Sequence, residues 1–420
     1  MSAPGAAVGL ARRLGTGDAV VLGLGSMLGA GVFVVFAPAA AAAGGAGMLA
    51  ALALAGFVAY CNATSSARLA ARYPESGGSY VYGRERLGGL AGFLAGWAFV
   101  AGKTASCAAM ALAIGAYAAP AWQRPIVLAA VAALTAVNLV GVAKTARVTR
   151  WLVALTLTVL GVVVVAGVAV LGGRGWSVHM GQSHWGGVLT AAGLLFFAFA
   201  GYARVATLGE EVRDPTRTIP RAIPVALGIA FGGYVVVGTT ALAVLGPQRL
   251  ASSAAPLADV VATAGLAGLS WVVRVGAGIA VLGVLLGLLA GVARTVLAMA
   301  RRSDLPGALS AVHPGRRVPH RAQLAVGLAV AAPVALVDLR GAIGFSSCTV
   351  LVYYAITNAA ALTLGREPGR RLPVRALAVA GLVGCVVLVA ALPWRSVLAG
   401  LGVLVVGAVG YAVGYALRRP

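Results

Sequence analysis

The chain has 420 residues, of which 60% are hydrophobic and only 10% charged, and its mean hydropathy is +0.96. Soluble domains carry about 25% charged residues, whereas the apolar residues here gather in runs long enough to cross a hydrocarbon core of ~30 Å, which excludes an ordinary water-soluble protein. The net charge of +22 does not point to nucleic acid either, because the cations sit in short loops between apolar runs and show no basic patch interleaved with aromatics.

In chain order the apolar runs fall near 18–43, 46–67, 87–118, 125–142, 148–171, 187–207, 221–245, 270–300, 322–337, 341–364, 374–392 and 396–417. Twelve transmembrane helices are expected from them. The first run follows Arg12 and Arg13, but it is longer than the roughly 7–15 residues of a cleaved signal peptide's apolar core, so it reads as a retained span. An even number of spans puts both termini on one side. Loops on that side hold 24 Lys and Arg residues, and those on the other side hold five: Arg124, Arg174, Arg249, Arg340 and Arg395. By the positive-inside rule both termini are cytoplasmic, in a multi-pass protein of the plasma membrane. No loop exceeds about 20 residues, so residues 1–420 form one transmembrane domain and any function belongs to the bundle.

Cys61, Cys107, Cys348 and Cys385 lie within apolar runs and read as small buried residues. His179, His184, His313 and His320 lie in predicted loops, and no metal-ligand spacing joins them to acids or thiols. No metal and no cofactor is expected.

The first run contains Gly23, Gly25, Gly29 and Gly31 in GLGSMLGAGVF, with Pro38 beyond, and glycine weakens a helix interior. The sixth carries FFAFAGYA, with Gly201 at its midpoint. Unwound backbone is tolerated at membrane depth only where it lines a cavity or is covered by protein. Interrupted helices at corresponding places in two halves mark a binding site on an inverted repeat. Half-helix N-termini there offer N–H groups to an anion, and freed carbonyls face a cation, so a zwitterion suits both. The glycine spacing GxGxxxG fails the dinucleotide fingerprint. Gly25 and Gly29 do satisfy GxxxG, so close helix packing stays open as a second reading of that pair.

Four stretches resemble the amino acid/polyamine/organocation superfamily of secondary transporters. GSMLGAGVF at 25–33 resembles its unwound first helix, and PESGGSYVYGRERLG at 74–88 resembles the loop between its second and third helices. FFAFAGYARVATLGEEVRDPTRTIPRAI at 196–223 is similar to its sixth helix and following loop, and RTVLAMARRSDLP at 294–306 to the end of its eighth. The resemblance implies an all-α LeuT-like bundle. Helices 1–5 (about 18–171) and 6–10 (about 187–364) would be inverted repeats with helices 1 and 6 unwound, and helices 11 and 12 (about 374–417) would be peripheral. It further implies that the substrate carboxylate meets the amides of Ala30 and Gly31, and the α-amino group the carbonyls of Met27 and Ala200. Gly29, Gly201 and Tyr202 would flank the site and Phe197 would act as an aromatic lid, with packing as the other reading of that ring. Related transporters often have a serine where this chain has Ala30, which leaves Ser26 as the nearby hydroxyl.

Departures from the family pattern bear on coupling. Many relatives carry an acid at the position of Ala203, and some a proton-relaying lysine at the position of Thr156. The middle of span eight, GVLLGLLAGVA at 283–293, lacks the Ser or Thr that a sodium site in this fold uses. What remains near mid-membrane is Lys103, and an intramembrane charge is a functional hypothesis because burying it is costly. It is the candidate for proton coupling, against a role in packing or orientation. Arg294 lies seven residues before Arg301 and is expected to snorkel to the interface.

No acid lies in the predicted pocket, so proton-coupled uptake of a neutral amino acid is the leading expectation. Exchange or uniport of cationic amino acids or polyamines, held by cation–π contacts, is the alternative. A non-transporting amino-acid sensor is the rival of another class. An enzyme is not expected, because no reactive constellation is present. Glu210, Glu211, Arg213 and Asp214 read as a cytoplasmic gate or salt-bridge network. Partners are therefore a small amino acid, protons and the lipid bilayer.

Overall fold

The computed structural model describes residues 14–29, 31–74, 77–118, 120–141, 146–174, 182–206, 212–365 and 373–417. The first apolar run folds as three pieces, α1 (Thr16–Leu28), α2 (Gly31–Val34) and α3 (Phe36–Ala43). The second is α4 (Gly45–Arg72); α5 (Ser79–Leu87) lies in the loop after it, and α6 (Gly89–Ala118) is the third. The fourth and fifth are α7 (Gln123–Val140) and α8 (Ala146–Arg174). The sixth is α9 (Val188–Phe199), a 3-10 turn at Ala200–Tyr202, and α10 (Ala203–Ala206). Beyond it come α11 (Pro215–Ser252), the short α12 (Pro256–Thr263), α13 (Ala267–Arg301), α14 (His320–Leu336), α15 (Leu339–Leu362), α16 (Pro373–Ala391) and α17 (Trp394–Ala416).

Local chemistry sets several of these boundaries. Gly44 separates α3 from α4 at φ 67°, ψ −157°, a conformation that L side chains avoid. Asp338 caps α15, its carboxylate accepting from the Gly341 amide at 3.1 Å. Pro215 opens α11, where a missing N–H does no harm.

Eleven helices among the described residues are long and apolar enough to cross a membrane. The expectation of twelve is not met by that measure. The run at 322–337 folds as α14, whose 17 residues cover only about 25 Å at ~1.5 Å per residue.

The α6 span is the most enclosed of the eleven. Small residues let its neighbours approach, as expected where lipid offers no hydrophobic drive between helices. Gly102 faces Thr349 and Val350 of α15, and one turn on, the Ser106 and Ser346 hydroxyls are 2.7 Å apart. In contrast α7, α16 and α17 are the least covered spans. The large side chains left exposed on α17, such as Val405 and Val406, form the kind of surface a bilayer covers.

Candidate substrate site

The two interrupted spans meet backbone to backbone. A Cβ on Gly201 would lie 2.4 Å from the Ser26 carbonyl oxygen, and one on Gly31 would lie 2.5 Å from Cα of Ala198. Each glycine is therefore demanded by the opposite helix. Gly23 also faces the sixth span, at Val205 of α10, while Gly25 seats α1 against Thr149 and Val153 of α8 and Gly29 against Val284 of α13. The packing reading of Gly25 and Gly29 thus holds beside the break between α1 and α2.

The interruptions are narrow. The sixth span was expected to unwind at Gly201, but it tightens into a single 3-10 turn over Ala200–Tyr202. Its polar contacts come from outside the two spans. The Tyr234 hydroxyl of α11 contacts two carbonyls, Met27 at 2.8 Å and Ala198 at 2.9 Å, and so ties the two interruptions together. The buried Lys103 ammonium of α6 donates to the Ala200 carbonyl at 3.0 Å, and the Tyr354 hydroxyl of α15 is 3.5 Å from the same oxygen. Among the described residues no carboxylate lies within ion-pair distance of Lys103.

Met27, Gly31, Ala200, Gly201 and Tyr202 are thus brought together, with Gly29 on the α13 side of the same region. Ala30 lies outside the described residues. Phe197 is buried beside them, and the Tyr202 ring packs on Tyr354 at 5.0 Å between centroids. Ser26 is close by, but its hydroxyl donates to the Leu22 carbonyl at 2.9 Å, one turn back in its own helix. That proton is engaged, which weakens the expectation that Ser26 helps a carboxylate. Lys103, placed from its depth alone, stands at the Ala200 carbonyl. The sequence did not single out Tyr234 or Tyr354, because tyrosines inside apolar runs read as core.

Between α1, α8 and α13 lies a cavity of about 10 Å³, room for about one water. Gly25, Leu28, Gly29, Thr149, Thr156, Ala280 and Val284 are among its lining residues. Thr156 donates to Leu152 at 2.8 Å, and α13 contributes no oxygen-bearing side chain. This is poor lining for sodium, which is a hard cation and seeks several oxygens.

The end of the bundle that carries the basic loops is closed by a different cluster from the expected one. Glu210 and Glu211 lie outside the described residues. The Asp214 carboxylate accepts from the Thr216 hydroxyl at 2.7 Å and pairs with the exposed Arg217 at 3.6 Å, and the Arg213 amide donates to the Leu14 carbonyl ahead of α1 at 2.8 Å. The buried ion pair here is Asp304 with Arg84 at 2.5 Å, and the Tyr80 hydroxyl donates to the same carboxylate oxygen at 2.6 Å. Arg84 and Arg302 both lie 5.5 Å from the Tyr80 ring centre. Burial, and then the Asp304 carboxylate, push the Tyr80 phenol well above its usual range. Two stretches that resemble the family separately, 74–88 and 294–306, therefore meet in this cluster. At the opposite end the Tyr117 hydroxyl donates to the Phe33 carbonyl at 3.0 Å, and Arg274 donates to the Tyr117 carbonyl at 3.2 Å.

Apolar helices with two interrupted spans meeting at the bundle centre are the build of a secondary transporter. The chain matches the amino acid permease family over residues 14–414 and belongs to it. Over 411 residues it is 59% identical to an uncharacterised transporter of Mycobacterium tuberculosis, covering 98% of this chain and 93% of that one. It is 26% identical to a branched-chain amino acid permease of Bacillus subtilis, over 96% of this chain and 92% of that protein. It is also 30% identical to the human cationic amino acid transporter 4, over 84% of this chain and 60% of that protein. The protein is a multi-pass membrane transporter, and its relatives are transporters rather than enzymes.

Proposed function

We propose that the protein carries a neutral amino acid across the cytoplasmic membrane by alternating access, with proton coupling through Lys103. Both termini are cytoplasmic in this reading, and α14 counts as a twelfth crossing that returns the chain between the basic 301–321 loop and Asp338. Helices 1–5 and 6–10 act as inverted repeats around the two interruptions.

The observation that carries this is the juncture itself: Gly201 on Ser26, Gly31 on Ala198, and a buried ammonium on the Ala200 carbonyl. The substrate sits there, its carboxylate at the amides of Ala30 and Gly31 and its amino group at the carbonyls of Met27 and Ala200. Ser26, Gly29, Gly201 and Tyr202 frame it, and Phe197 covers it. The Met27 oxygen accepts from the neutral Tyr234 hydroxyl and has a second lone pair for the substrate ammonium, while the Ala200 oxygen becomes free for it when Lys103 turns away. Among the described residues the juncture has no carboxylate and has the Lys103 cation, so a neutral side chain fits better than a cationic one. A protonated Lys103 can swing toward the substrate carboxylate, so that proton and zwitterion travel together. In this reading the Asp304, Arg84 and Tyr80 cluster forms one part of the cytoplasmic gate, and Glu210, Glu211, Arg213 and Asp214 contribute the other.

The test has two arms. In the first, a panel of amino acids is scored for thermal stabilisation of the purified protein, since a ligand that binds only the folded form raises its stability by RT ln(1 + [L]/Kd). In the second, proteoliposomes carry an imposed pH gradient. Lys103→Met should lose gradient-driven accumulation while retaining exchange, and accumulation equal to wild type at every gradient would rule out coupling through Lys103. Stabilisation by no amino acid would remove the reading altogether.

A further inference from the structure

An amino acid needs two seats, donors for its carboxylate and acceptors for its ammonium, and here the second seat is already taken. The Ala200 carbonyl accepts from Lys103 at 3.0 Å and has the Tyr354 hydroxyl at 3.5 Å, while the Met27 carbonyl accepts from Tyr234 at 2.8 Å. The two hydroxyls are neutral and can share an oxygen with another donor. The ammonium of Lys103 is not neutral: a second ammonium on the same carbonyl would stand within a few ångströms of it in a buried site, where like charges repel strongly.

Among the described residues the charge of Lys103 is also uncompensated. The acids of the described residues lie elsewhere: Asp18 pairs with Arg150, Asp304 with Arg84 and Asp214 with Arg217, Asp259 accepts from Ser253, Asp338 caps α15, and Glu85 is exposed on α5. A zwitterion entering the site brings no net charge and leaves the ammonium unneutralised. A ligand with one negative charge and no amine neutralises it and leaves Lys103 where it stands.

We propose that Lys103 stands in for the substrate's amino group, so that the site also takes small monocarboxylates with no amine on Cα. The class is 2-oxo and 2-hydroxy acids with apolar side chains, which suit the buried surroundings of Met27, Phe197 and Tyr202. This rests on the substrate site proposed above. It differs in what it asks of the ligand, namely a carboxylate with the amine dispensable.

The experiment uses the full chain in proteoliposomes, with three probes that share the isobutyl side chain: leucine, 4-methyl-2-oxopentanoate, which lacks the amine, and isopentylamine, which lacks the carboxyl group. The oxo acid should compete for the site with an inhibition constant within about tenfold of that of leucine, and isopentylamine should not compete. In Lys103→Met, and separately in Lys103→Gln, the ratio of oxo-acid to leucine inhibition constants should rise at least tenfold. The glutamine amide can still donate to Ala200 but carries no charge, so an unchanged ratio in that variant overturns the proposal. Binding of leucine by wild type with none of the oxo acid also overturns it, and leaves the amino acid reading standing. Binding of neither leucine nor any other amino acid removes that reading instead. The wild-type competition stands alone if neither variant folds.

Discussion

Two buried charges divide the molecule. At mid-bundle the Lys103 ammonium donates to a backbone carbonyl and has no carboxylate beside it among the described residues; at the end with the basic loops the Asp304 carboxylate holds both Arg84 and Tyr80. The second charge is internally neutralised and ties α5 to the loop after α13, as a fastening should. The first is unbalanced, which is costly in a membrane interior unless something that comes and goes supplies the balance. A paired charge closes a structure, whereas an unpaired one leaves a seat for a ligand.

The largest expected effect lies at the paired end. Asp304→Ala leaves Arg84 without its anion and Tyr80 without its acceptor. Removing one partner of a buried pair costs about 3–5 kcal/mol. The low end applies here, because the Arg84 side chain is 27% exposed against 4% for Asp304. Thermal unfolding in detergent measures it. A loss as small as that of an exposed pair would mean that Asp304 is solvated, and the contrast with Lys103 would collapse.

At mid-bundle, Gly201→Ala places a methyl group 2.4 Å from the Ser26 carbonyl oxygen, and backbone cannot yield as a flexible side chain can. Overpacking of this kind costs about 1–3 kcal/mol, and the same displacement should abolish ligand-induced stabilisation. Gly228→Ala is the control: nothing lies within 4 Å of its would-be Cβ on α11. A helical Gly→Ala change of that kind gains about 0.4–1 kcal/mol. Equal tolerance at both positions would mean that the two interruptions are not in contact.

Much of this arrangement was legible in the residues, and the misses share a cause. Apolar runs announced the spans and their glycines announced the interruptions, because hydropathy and helix penalties are local properties. The depth of Lys103 was readable for the same reason. Its contact with Ala200 was not, since those residues are 97 positions apart. Asp304 lies beside Arg301 and Arg302 in sequence, and only the fold brings it to Tyr80 and Arg84. Asp214, by contrast, sits among arginines in sequence and meets only one of them, at the surface. Helix α14 misled in the opposite direction: its apolar run is clear, but prolines at 319 and 333 and the end at Leu336 leave it 17 residues long.

A smaller effect separates the two partners of Asp304. Tyr80→Phe removes one hydrogen bond to a carboxylate that keeps Arg84, a loss of about 1–2 kcal/mol near neutral pH. The phenol is held protonated, its folded value raised above the ordinary one. Its contribution is therefore complete below the unfolded value near 10 and is lost as pH rises beyond it. The stability gap between wild type and Tyr80→Phe should narrow above about pH 10. A gap that widened there would mean that Tyr80 acts as an anion toward Arg84 and Arg302 rather than as a donor to Asp304.

The smallest effect tests whether burial, and not pairing alone, makes the fastening. Arg150 meets Asp18 at 2.6 Å, nearly the Arg84–Asp304 distance, and ties α8 to the first turn of α1. Its side chain is 59% exposed and that of Asp18 is 24% exposed, so water screens the attraction and solvates whichever partner is left alone. Exposed pairs contribute about 0–1 kcal/mol. Arg150→Gln should therefore cost less than about 1 kcal/mol, and that difference should shrink further as salt rises toward 1 M, where the screening length falls to about 3 Å. The Asp304→Ala loss should persist under the same salt, because its carboxylate is out of reach of the ions. If the two variants lost equal stability and responded equally to salt, geometry alone would govern both pairs, and the reason given for treating Lys103 differently from a surface cation would go with it.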